Sequence, residues 1–136
     1  MFLIYTFYYT SMTKITDIKS AEILDSRGRP TLEVTVYAGV ATGAFQVPSG
    51  ASTGSAEACE LRDGDEHMSL AMENIDNLIK PSLLGLDVAE QKKIDEIMIE
   101  LDGTSDKSRL GGNAMVGVSI AVAKASASAE GKKLFE

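Results

Sequence analysis

The segment of this chain richest in groups that could do chemistry is Ser49-Gly50-Ala51-Ser52-Thr53-Gly54, which follows Val47-Pro48. Its two glycines let the backbone approach a ligand closely and turn amides toward an anion. The hydroxyls of Ser49, Ser52 and Thr53 are hard oxygen donors of the kind Mg²⁺ accepts beside phosphate and water. The same composition also describes a mobile surface loop of small residues, and on residue chemistry alone that plainer reading is favoured. The loop is not a G-x-x-x-x-G-K-[ST] phosphate loop, because the lysine is absent. Other candidates are weaker still. Asp25 to Thr31 reads as a hairpin turn with a charge pair, and Glu60 to Asp65 as a solvated helix end. His67, the sole histidine, has no set of partners at helical ligand spacing and reads as a surface residue. Cys59, the sole cysteine, lacks a neighbouring base and an intrachain disulfide partner, so it reads as a small buried apolar residue.

These residues need elements to hold them. Leu32, Val34 and Val36 alternate with Thr31, Glu33, Thr35 and Tyr37, the period-two pattern of a half-buried strand. A β-branched run over Ile15 to Leu24 precedes it, ending in the turn cluster Asp25 to Pro30; after a turn at Gly39, Thr42 to Val47 can return as a third strand. Short connections favour antiparallel pairing, hence a three-stranded meander. Pro48 ends the sheet and sends the chain into the loop.

A short helix is expected over Ser55 to Leu61, followed by three longer ones. Met68, Met72, Ile75 and Ile79 share a face, and Pro81 should stop that run. Asp87 and Glu90 form a near capping box for a helix carrying Ile94, Ile97, Met98 and Leu101, which Gly103 should end. The last helix should run from about Asn113 to Glu130, with Gly131 just past its end. Strands followed by helices make the fold class α+β.

The bulk properties bound the function. At 136 residues, 44% hydrophobic and 24% charged, the chain suits one soluble domain. Its net charge of −7, with lysines and arginines scattered, argues against a nucleic-acid platform, which needs a basic stripe. Residues 1–11 are apolar and aromatic but fall far short of the roughly 20 residues that cross a bilayer. They also lack the positive start of a secretory signal. They read as an extension upstream of a start at Met12, with an extra edge strand as the alternative.

Five segments in order carry a family resemblance: I-L-D-S-R-G-x-P-T at Ile23 to Thr31, V-P-S-G-A-S-T-G at Val47 to Gly54, E-L-R-D-G-D at Glu60 to Asp65, L-D-G-T-x-D-K-S at Leu101 to Ser108, and G-x-N-A-x-x-G-V-S at Gly111 to Ser119. Each is weak alone, but together they resemble the N-terminal domain of the enolases, from about Thr13 to Phe135. The resemblance implies a three-stranded meander followed by a helical subdomain over residues 12–136. It implies that the loop Ser49, Gly50, Ala51, Ser52, Thr53 and Gly54 closes over 2-phosphoglycerate or phosphoenolpyruvate. Ser52 would then ligate the second of two Mg²⁺ ions.

It further implies a homodimer interface at Glu33 and Arg27, a cytoplasmic location with cell-surface presence also known of the family, and neither nucleic-acid nor membrane partners. The chain departs from the family at Ala21, where an arginine near the interface is usual, at Arg29, where asparagine is usual, and after Asp65, where several residues are missing. The base, the acid and the carboxylates holding the first Mg²⁺ belong, in the family, to a C-terminal barrel of about 250 residues. The expectation is therefore a non-catalytic cap, inactive by itself, whose barrel-facing surface includes the small-residue face of Asn113 to Glu130. A protein-interaction module and an inert gene fragment are the alternatives.

Overall fold

The computed structural model describes residues 12–50, 54–64 and 67–136. Residues 1–11, read above as an extension or an edge strand, lie outside the described residues. Three strands form one antiparallel sheet in the order β1 (Ile15–Leu24), β2 (Pro30–Ala38), β3 (Ala41–Gln46). This is the expected α+β meander. Alternation sets its faces: Leu32, Val34 and Val36 of the central strand are fully buried on one side, while Glu33, Thr35 and Tyr37 stand half-buried on the other. In β1 the register slips between Ile15 and Asp17, and this bulge lets Ile15 and Ile18, three residues apart, both face the core.

The helices cover the core side of the sheet. α1 (Ser69–Asn74) runs through a wide π turn over Ile75–Ile79 into α2 (Lys80–Leu83). Pro81 therefore does not stop the helix, contrary to the sequence expectation. The Lys80 amide reaches back five residues to Ile75, so the widened turn places Pro81 in the first turn of the next segment, where its missing N–H costs least. Ile75, Ile79 and Leu83 stay buried along the whole run.

α3 (Gln91–Asp102) buries Ile94 and Met98 and ends at Gly103, whose φ of 67° is the left-handed cap expected there. Its start differs from the expected capping box. Asp87 accepts the Ala89 amide at 2.9 Å and the Thr13 hydroxyl at 2.9 Å, so its carboxylate closes a turn and ties it to the chain entering β1. Glu90 is the N-cap position and makes no side-chain cap.

α4 (Gly112–Ala129) lies across β2 and β3 and buries Ala114, Gly117, Val118, Ala121, Val122 and Ala125. It ends in a Schellman motif, with the Lys132 amide on the Ala127 carbonyl at 2.9 Å and the Gly131 amide on Ser128 at 3.1 Å. Ala114, Gly117, Ala121 and Ala125 of α4 are thus packed inside this chain, against its own sheet, whereas Ser119, Ala123, Ser126 and Ala127 stay half-buried on its outer side. A Cβ at Gly43 would sit 2.1 Å from the Ala121 carbonyl oxygen and 2.3 Å from the Ala125 nitrogen. A Cβ at Gly117 would sit 2.8 Å from Val34 Cγ2. At the outer edge of β3, Lys124 of α4 reaches over the Phe45 ring and donates to the Ala44 carbonyl at 2.9 Å.

The expected helix over Ser55 to Leu61 is absent. Its backbone groups bond elsewhere: the Cys59 amide to Asp106 at 2.6 Å, the Cys59 carbonyl to the Gly112 amide at 2.7 Å, and both Leu61 groups to the Asn113 side chain. Tertiary partners have displaced local helix propensity here.

Gly43→Ala should push strand and helix apart and cost about 1–3 kcal/mol, the usual range for overpacking. A thermal melt lowered by several degrees is the expected reading, whereas Ala44→Gly on the opposite face should change it much less.

Candidate functional site

The loop that sequence singled out leaves β3 through a stem with fixed ends. The Val47 amide donates to Leu32 at 2.8 Å, and the buried Thr31 hydroxyl donates to the Val47 carbonyl at 2.6 Å. Two guanidinium groups then hold the next residues. Arg27, presented by the β1–β2 turn, donates to the Ser49 and Gly50 carbonyls, each at 3.2 Å. Arg62 donates to the Pro30 carbonyl at 2.8 Å, to Ser49 Oγ at 3.1 Å and to Glu60 Oε1 at 2.7 Å. The Arg62 side chain is only 10% exposed, so these charge-assisted bonds are shielded from water, whereas Arg27 is 39% exposed.

The turn that carries Arg27 is itself organised by Asp25. Its Oδ1 accepts the Arg27 amide at 2.8 Å and the Arg29 amide at 2.9 Å. The Arg29 amide, with that of Arg27 and both guanidinium charges, outweighs the burial of Asp25 and holds its carboxyl below the ordinary value. The segment first read as a plain hairpin turn is therefore the base on which the loop stem rests.

On the far side of the loop, Gly54 opens a turn closed by the Glu57 amide at 3.2 Å, after which the chain is pinned at Cys59 and Leu61. Gly50 and Gly54 line one cleft of about 630 Å³, walled also by Pro48, Cys59, Asn113 and Val116. Asn113 forms part of its wall through paired bonds to Leu61, 3.1 Å at the amide and 3.0 Å at the carbonyl.

The stretch that leads into α4 has its own organiser. Asp102, 1% exposed, accepts the Leu110 amide at 2.8 Å, the Thr104 amide at 2.9 Å and the Thr104 hydroxyl. Burial alone would raise this carboxyl. The Thr104 hydroxyl and the two amides, with Lys107 nearby, reverse that and hold it below its ordinary 3.8. The arrangement fixes Asp106 and Gly112 where they clamp Cys59.

Of the sequence-predicted site residues, Gly50 and Gly54 come together at the cleft and Ser49 is held in the loop stem, while Ala51, Ser52 and Thr53 lie outside the described residues. Arg27 engages the loop stem within its own chain. Glu33 stands on the outer sheet face, opposite Ala21 on β1 and Gln46 on β3, and accepts the Gln46 amide at 2.9 Å. His67 is exposed, as read, with Nδ1 3.4 Å from Glu22. Cys59 is half-buried in the cleft wall, less enclosed than expected. Sequence reasoning missed Arg62, Asn113 and Asp102, which show no periodicity and take their meaning from partners far along the chain. Among the described residues, no group of three or more His, Cys, Asp or Glu side chains could hold a metal ion. No helix among them is long and apolar enough to cross a membrane.

Residues 15–136, which contain both the sheet and the cleft, match the family described as "Enolase, N-terminal domain". The chain belongs to that family. It is 53% identical over 128 residues to an enolase of Thermococcus gammatolerans, covering 90% of this chain and 30% of that protein. It is 52% identical over 128 residues to an enolase of Thermococcus kodakarensis, with the same coverage, and 55% identical over 127 residues to enolase B of Dictyostelium discoideum, covering 89% and 29%. The chain thus spans about three-tenths of the length of the enolases it matches.

Arg62→Ala should cost about 2 kcal/mol, in the range for hydrogen bonds to charged groups, and Arg62→Lys should recover only part of it because an ammonium cannot reach all three acceptors in the guanidinium's fixed geometry. Asp102 gives a pH test. With its folded carboxyl below the ordinary 3.8, its contribution is present above that value and is lost as pH falls through the folded value. Asp102→Asn should therefore be less stable than the parent at neutral pH, by about 1–3 kcal/mol, with the gap shrinking below about pH 4. Chemical denaturation at pH 7 and pH 3 measures both ends.

Proposed function

We propose that this chain acts as the N-terminal part of an enolase, a carbon–oxygen lyase (phosphopyruvate hydratase) that converts 2-phosphoglycerate to phosphoenolpyruvate. The observation that carries the proposal is the loop stem. Gly50 and Gly54 line one cleft, and Arg27 and Arg62 hold Ser49 and Gly50 in the loop stem. That arrangement supports the role the family resemblance implies for the three residues between them, with Ser52 offering its hydroxyl oxygen to a Mg²⁺ ion that the substrate also touches. Closure of such a loop excludes water from the reacting groups.

The described residues do not by themselves fit a Mg²⁺ site. Mg²⁺ demands near-octahedral oxygen coordination, and no cluster of carboxylates among the described residues offers it. One serine can complete a coordination sphere held elsewhere but cannot build one. The cation, when bound, supplies positive charge opposite the anion formed as the C2 proton leaves and the C3 hydroxyl departs as water; enolase-superfamily sites are themselves the known example of a Lys or His base working beside Mg²⁺. This chain's own residues position the loop and shelter the site. Proton transfer and cation holding then fall to a barrel domain that follows residues 12–136 in the whole enzyme, and this chain alone is inactive. A cytoplasmic location and a homodimer using the face of Glu33 and Arg27 belong to the same proposal.

The test follows phosphoenolpyruvate formation from 2-phosphoglycerate. The 136-residue chain alone should give none. Joined to the remaining seven-tenths of the Thermococcus gammatolerans enolase it should be active, and Ser52→Ala in that fusion should lower kcat roughly 10²-fold and raise the Mg²⁺ concentration needed. Unchanged activity and Mg²⁺ dependence would remove Ser52 from the site. Turnover by the chain alone would place the proton-transfer groups within it.

A further inference from the structure

Residues 1–11, MFLIYTFYYTS, hold five of the chain's eight Phe and Tyr residues and no charged side chain. Leaving that much aromatic surface in water is costly, which favours a cover close to where the segment joins the fold. The junction is fixed. The Thr13 hydroxyl donates to Asp87 Oδ2 at 2.9 Å, the Val88 amide donates to the Thr13 carbonyl at 3.0 Å, and Lys14 pairs with Asp87 in antiparallel register. Antiparallel partners run in opposite directions, so an extended chain upstream of Thr13 would pass toward Ala89, Glu90 and Gln91. A mostly apolar groove begins at this point. Its near part, of about 150 Å³, is lined by Thr13 and Ala129, and its far part, of about 300 Å³, by Gln91 and Ala127; Val88 and Ser126 line both. The near part is about the volume that takes one benzene ring. In Gln91, Nε2 is spent on Asp95 and the Ser119 carbonyl, each at 3.1 Å, while Oε1 is shielded from water and meets no donor among the described residues.

We propose that residues 1–11 of this chain occupy that groove, with an aromatic ring in the near part and a tyrosine hydroxyl donating to Gln91 Oε1. Tyr5, Tyr8 and Tyr9 each carry the O–H donor that a buried amide oxygen needs. The reach is ample. Ala123 to Ala129 spans only about 9 Å of helix, whereas eleven extended residues cover up to about 36 Å. The charges nearest Thr13 are already engaged, Glu130 with Lys132 at 2.6 Å and Asp87 with the Thr13 hydroxyl and the Ala89 amide. An uncharged segment suits such a lining better than a charged peptide does. Docked there, the segment acts as a strap that joins the entry of β1 to the start of α3 and the end of α4. The proposal goes beyond the function proposed above and does not rest on it, because the groove shares no lining residue with the loop cleft.

The chain itself supplies the probe. Three of its four tyrosines lie in residues 1–11 and it has no tryptophan, so tyrosine emission reports mainly on the segment. Acrylamide quenching of that emission is measured on the 136-residue chain over a wide concentration range, with sedimentation recording its state, and with or without phosphatidylcholine–phosphatidylserine vesicles. The parent alone should be quenched far less than the same chain unfolded in urea. Ser126→Arg, which fills both parts of the groove, should lose that protection and bring the quenching slope close to the urea value while helical circular dichroism is kept. Ala129→Arg, at the near end, should do the same and serves if the first variant fails to fold. Val40→Lys, at an 85% exposed position on the β2–β3 turn, should change nothing. A parent slope equal to the urea value would overturn the proposal, as would a low slope that neither folded groove variant raises. Protection that vanishes on dilution together with an associated species would make a second copy the occupant, and protection seen only with vesicles would make it a lipid surface; either result overturns the assignment. None of these outcomes bears on phosphoenolpyruvate formation by the fusion, which tests the proposed function separately.

Discussion

The whole architecture depends on how closely α4 can lie on the sheet. With hydrogen in place of a side chain at Gly43, the strand meets the helix backbone near Ala121 and Ala125, closer than any Cβ would allow. Gly117 permits the same intimacy from the helix side, against Val34. Dispersion forces fall steeply with separation, so this contact does more for the core than the modest side chains suggest. It also has a directional consequence. A helix seated at that depth must begin where Gly112 and Asn113 can reach Cys59 and Leu61, and those residues define one wall of the cleft.

The cleft's other wall is built by charge and not by packing. Arg62 is nearly buried and joins three stretches of chain: the start of β2, the loop stem and the segment after the loop. Arg27 holds the same stem from a more exposed position, through bonds to carbonyls that water can replace. Behind them, Asp25 and Asp102 act as anchors for backbone amides, each holding a stretch of irregular chain in one shape. Irregular segments lack a repeating hydrogen-bond ladder, so such carboxylates substitute for one. The domain therefore has a core made by aliphatic contact and a functional edge made by polar ties.

The strands were legible in sequence because alternation is a local property: Leu32, Val34 and Val36 declare their face without reference to anything distant. The end of α3 at Gly103 and of α4 at Gly131 were legible for the same reason. What failed was whatever depended on partners far along the chain. Ser55 to Leu61 has adequate helix formers, but Asp106, Gly112 and Asn113 claim its backbone. Pro81 looked like a stop because the π turn that absorbs it has no residue signature. Asp87 looked like a helix cap and is instead a turn closer tied to Thr13. The small residues of α4 did announce close packing, yet nothing in them said that the partner surface was the chain's own sheet. At the site, the loop stood out by composition, whereas Arg62 was visible only as one letter of a charged motif.

Lys124 has a consequence of a different kind. β3 is an edge, and an edge strand offers unpaired backbone groups that another extended chain could adopt as a template. With its ammonium over the Phe45 ring and bonded to the Ala44 carbonyl, Lys124 occupies one of those groups and puts a charge beside the rest. One side chain thus both fastens helix to sheet and discourages runaway sheet growth from molecule to molecule.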